Sequence, residues 1–133
     1  MSKFGIYEFH PQVYPRRLWV AVGGNEKDVK SLFRQCDGTE LELDVDSSLA
    51  VTLCVMTNDK NNHLGELVWF ISAKDLTTSN IAHEATHVAL DIFGDVGCKI
   101  HYDNQEPFAY LVGWVADCID KVKRNKAERY EKN

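Results

Sequence analysis

Ile81-Ala82-His83-Glu84-Ala85-Thr86-His87-Val88-Ala89-Leu90 holds a His-Glu-x-x-His pattern in a segment with helical periodicity. Residues four apart on a helix lie one turn apart on the same face, so His83 and His87 can present imidazole nitrogens to one metal ion. Glu84, one residue past the first histidine, falls beside such an ion rather than on it. That position suits a general base taking a proton from a metal-activated water. The same pattern also occurs as a solvated pair of surface histidines, so the surrounding sequence has to decide.

A catalytic zinc needs a third protein ligand and an open position. Eighteen residues separate His87 from Glu106, enough to end one helix, turn, and bring a second helix alongside. Pro107 suits a helix's first turn, where a missing N–H costs nothing, so Glu106 should open that helix. Ala109, Gly113 and Ala116 then form a stripe of small residues that permits close helix packing. His101 competes with Glu106 as third ligand; the helix-borne carboxylate is preferred because it is more rigidly placed.

His83-Glu84-x-x-His87, the eighteen-residue gap and Glu106-x-Phe108-Ala109 resemble the signature of the gluzincin metallopeptidases, above all the single-domain minigluzincins and small, often phage-encoded metallopeptidases. The resemblance covers about a third of the chain. It implies one Zn2+ held by His83, His87 and Glu106, with Glu84 as general base and a peptide or protein as substrate. It also implies that the strand before the metal helix forms the cleft wall and pairs with an extended substrate. His101, Tyr102 and Tyr110 are candidates to stabilise the oxyanion, Tyr110 first because it lies four residues after Glu106. The rival expectation is a zinc-binding interaction protein on the same scaffold that turns nothing over, such as a phage anti-host or structural factor.

The 133 residues are expected to form a single domain spanning 1–133. A net charge of −5 argues against a nucleic-acid partner. No apolar run has the length of a membrane span, and no leader-like stretch opens the chain, so a cytoplasmic location is expected, with reduced cysteines. Cys36, Cys54 and Cys118 fall at apolar positions and read as core; Cys98 and His101 lack the partners a second zinc would need.

Outward from the metal helix, the pattern predicts an α+β fold with a zincin-like core: a small twisted sheet of about four strands against the metal helix and a second ligand-bearing helix. The strands are Tyr14–Gly23, the alternating Glu40–Asp46, and a hairpin of Leu49–Thr57 and Leu64–Ser72. Four carboxylates on one face of Glu40–Asp46 read as a solvated strand face. A short amphipathic helix should run from Glu26 to Cys36. The metal helix should start near Thr78 or Ser79 and stop at Gly94, with Asp91 either orienting an imidazole or standing exposed. Trp69 could line the cleft or fill the core. The apolar face of the last helix runs through Leu111, Val115, Ile119 and Val122, with Asp117 on the ligand side, and the charged tail, 125–133, should fray.

Overall fold

A computed structural model describes residues 3–43 and 49–130. Its strands are β1 (Gly5–Phe9), β2 (Arg17–Val22), β3 (Phe33–Gln35), β4 (Ala50–Thr57) and β5 (Leu64–Phe70), and its helices α1 (Glu26–Leu32), α2 (Thr78–Val96) and α3 (Glu106–Lys123). The fold is α+β, with one mixed sheet in the order β1-β2-β5-β4-β3. Among the described residues only the β2–β5 pairing is parallel.

Both faces of the sheet are covered, which explains why β2 and β5 are buried almost end to end instead of alternating. On one face, Leu18, Val20, Val68 and Phe70 meet Ile81, Val88 and Ile92 of α2 and Val115 and Ile119 of α3. On the other, Trp19, Trp69, Val55 and Leu67 meet Val29 of α1, Phe33 and Leu41. Trp69 is core: its indole nitrogen donates to the Gly23 carbonyl at 2.8 Å. Gly65 allows β2 and β5 to pair, since a side chain there would collide with the Arg17 carbonyl.

Several expectations are corrected. The sheet has five strands rather than about four: β1 and β3 are added at its two edges, while no strand forms over residues 40–43. The helix expected to reach Cys36 ends at Leu32, after which Phe33 turns its ring under Trp19, with centroids 5.0 Å apart, and the chain enters β3. The expected strand Glu40–Asp46 is absent over its described part, residues 40–43; residues 44–46 lie outside the described residues. Cys36 and Cys54 are exposed, whereas Cys118 is buried as expected. The described tail does not simply fray: Arg129 bridges to Tyr7 and the Tyr130 amide donates to the Ile6 carbonyl at 2.8 Å.

The helix carrying the motif forms where expected and runs one turn further. The Thr77 hydroxyl caps it by accepting from the Asn80 amide at 3.2 Å. Gly94 lies inside it, and Gly97, at φ 76°, makes the left-handed cap. α3 packs antiparallel to α2. Phe93 meets Phe108 edge-on at 5.5 Å near one end, and Ile81 and Ala82 face Gly113 and Ala116 across a hollow near the other.

Candidate metal and catalytic site

His83 and His87 stand together at the surface, their Nε2 atoms 3.2 Å apart. Two imidazole nitrogens each about 2.0–2.1 Å from a tetrahedral zinc would lie roughly 3.3 Å apart, so the spacing fits one ion's bite. Glu84 is buried beside them. Its Oε1 accepts a 2.9 Å hydrogen bond from the Thr52 hydroxyl on β4, and its Oε2 lies 3.8 Å from His83 Nε2. These groups, with Ala50, Val51 and Asp91, line a cleft of about 430 Å³ between α2 and β4.

β4 forms this cleft wall, which corrects the expectation that β5 would. β5 is interior, paired with β2 on one side and β4 on the other. β3 covers β4 only from Val55 to Thr57, leaving the stretch beside the histidines without a strand on its outer side among the described residues. The direction of its free groups follows from alternation. The Thr57 amide donates to the His63 carbonyl and the Leu49 carbonyl accepts from Ile71, both toward β5, while the Asn58 amide donates to Leu32 on the other side. Ala50 and Thr52 therefore turn their main-chain N–H and C=O outward.

Glu106 opens α3 as the sequence predicted, but it is exposed and borders a different hollow, with Ala109, Tyr110, Gly113, Trp114 and Asp117. Nor do His83, His87 and Glu106 form a cluster with ligand atoms mutually within 4.8 Å. The reason lies in the helix packing. The Phe93–Phe108 contact ties the start of α3 to the far end of α2, six residues or about 9 Å beyond His87.

The expected oxyanion donors also stand outside the cleft. Tyr110 is 74% exposed on α3 and Tyr102 is 92% exposed, while His101 sits exposed in a bridge to Asn104. Asp91 lines the cleft and also faces Glu66 of β5. Asp117 is exposed.

Two residues near this wall escaped the sequence reading. Thr52 gave no signal, since its role depends on a strand and helix 32 residues apart. Glu66 gave one: it is the sole charge in Leu64–Ser72, a run apolar on both strand faces, and a strand covered on both faces must bury it. It is fully buried. Burial first, then Asp91 and Cys54 beside it, push its carboxyl up to about 11. Cys54 is exposed as a residue, yet the partial desolvation of its sulfur, with Cys36 beside it next, pushes the thiol up to about 12.

Compared with known proteins, the chain matches no family model, no curated relative and no solved structure. The likeness to gluzincins thus stands on the motif residues alone. Among the described residues no helix is long and apolar enough to cross a membrane.

Proposed function

We propose that the protein is a zinc-dependent peptidase with a zincin-like core whose working centre is His83, Glu84 and His87. The carrying observation is the pair of Nε2 atoms 3.2 Å apart beside a buried carboxylate held by Thr52. A solvated surface pair has no need of that third group. Zinc bound by the two imidazoles would supply a Lewis acid and a water of lowered pKa. Glu84 accepts the proton of the attacking water and returns it to the leaving amine. Thr52 keeps one Glu84 oxygen occupied so that the other faces the histidines.

The outward N–H and C=O groups of Ala50 and Thr52 suit an extended peptide, which would lie along β4 with a carbonyl near the histidines. Such pairing demands little of the peptide's side chains, and its site would be the cytoplasm if the chain remains where it is made. Glu106 is the proposed third ligand from its spacing. Its place outside the cleft gives weight to the second reading, a zinc-binding interaction protein without turnover.

Zinc content per chain in wild type, His83→Ala, Glu106→Ala and His101→Ala, followed by peptide cleavage with Glu84→Gln as control, separates the two. The peptidase reading expects cleavage abolished in Glu84→Gln while zinc stays bound at His83 and His87. A wild type that binds zinc there and cleaves no peptide supports the interaction protein. Absence of zinc at these histidines in folded protein overturns both.

A further inference from the structure

We propose that Cys54, Glu66 and Asp95 form a second metal site, separate from the histidine pair and suited to a zinc-like divalent cation. The two clusters arise from one pattern. His83, His87, Asp91 and Asp95 recur every four residues along α2, and Thr52 and Cys54 lie two apart on β4, so a polar seam runs between helix and strand. The histidines and Thr52 occupy one end. Cys54, its register partner Glu66 and Asp95 occupy the other.

There the Cys54 sulfur and one carboxylate oxygen from each acid all lie within 4.8 Å of one another. Metal–sulfur and metal–oxygen bonds of about 2.3 and 2.0–2.2 Å put ligand atoms roughly 3.3–3.8 Å apart, so small side-chain adjustments would close the set. The decisive member is Glu66. It is fully buried, and among the described residues no N–H or hydroxyl donates to either of its carboxylate oxygens, which meet only the Asp91 carboxyl and the Cys54 thiol. A buried ionised carboxylate without a counter-charge is costly, and the groups facing this one are the acids Asp91 and Asp95 and the thiol Cys54. A cation answers all three at once.

Cys54 and Asp95 are exposed, which gives an ion a path in and leaves a coordination position to water. Arg16 Nε lies 3.5 Å from Asp95 Oδ2, so the other Asp95 oxygen is the one free to ligate. One thiolate with two carboxylates favours zinc over the hard cations, which take oxygen ligands. The alternative occupant of the seam is a proton shared between Glu66 and Asp91.

The test uses full-length protein carrying His83→Ala and His87→Ala, so that the first centre does not contribute. Titration with Co2+ alone is expected to reach one ion per chain, with the thiolate-to-cobalt absorption band that a cysteine ligand produces. Adding Cys54→Ser should abolish the band, and adding Glu66→Gln or Asp95→Asn should weaken binding at least about tenfold. Circular dichroism verifies that each variant folds, and Glu66→Gln keeps the side chain's size. Failure of the folded double-histidine variant to bind Co2+, or affinity and band unchanged in Glu66→Gln, would overturn the site and leave Glu66 holding a proton.

Discussion

The Thr52 hydroxyl donates to Glu84 Oε1 at 2.9 Å, joining the open strand to the motif's carboxylate. Thr52→Val removes this donor at nearly constant volume. Peptide cleavage should fall about 10–100-fold while zinc content is unchanged, and Thr52→Ser should restore most of it. Unaltered kcat in Thr52→Val would mean that Glu84 needs no such guide.

Glu84→Gln keeps the shape and the hydrogen bond from Thr52 but cannot accept a proton. Its turnover should drop by roughly 10²–10⁴-fold, with zinc retained. Metal analysis and single-turnover cleavage, run on one preparation, check both halves.

Ala50→Pro deletes an outward amide while sparing the ladder to β5. If a peptide pairs with β4, KM should rise several-fold with little change in zinc content or melting temperature. An unchanged KM would move the substrate off this edge.

In chelator-treated protein, Glu66 should make stability depend on pH. Its folded-state value, raised from 4.5 to about 11 by burial and then by Asp91, means the folded form keeps a proton that the unfolded chain loses. The contribution is full below 4.5 and eroded as pH rises toward 11, by at most about 1.4 kcal/mol per pH unit. Between about pH 5 and pH 9, Glu66→Gln should therefore show a flatter denaturation profile than wild type.

Trp69→Phe should cost roughly 1–3 kcal/mol, since it strips the buried Gly23 carbonyl of its donor; urea unfolding measures this.

What the sequence made legible was mostly local. The motif, the helical spacing around it, the apolar hairpin and the Pro107 helix start each depend on residues close in the chain. β3 was hidden because Phe33 fits the apolar face of a helix as well as a strand, and its choice depends on Trp19. β1 is short and carries little pattern of its own; it is an edge strand fixed by pairing with β2, beyond a loop. The site divided in the same way. His83, Glu84 and His87 converge because helix geometry alone brings them together, whereas Glu106 depends on how two helices dock, which the eighteen-residue gap does not specify. Thr52 lies beyond any local pattern.

The polar seam also makes α2 hold the sheet unevenly. Val88 and Ile92 press on the interior strands through dry contacts, while the side toward β4 is His, Asp, Thr and Cys, open to water over much of its length. Local opening should begin at that wettable margin: amide hydrogens of β3 and outer β4 should exchange before those of β2 and β5. The part of the molecule that would meet another chain is then the part that detaches most readily from its own.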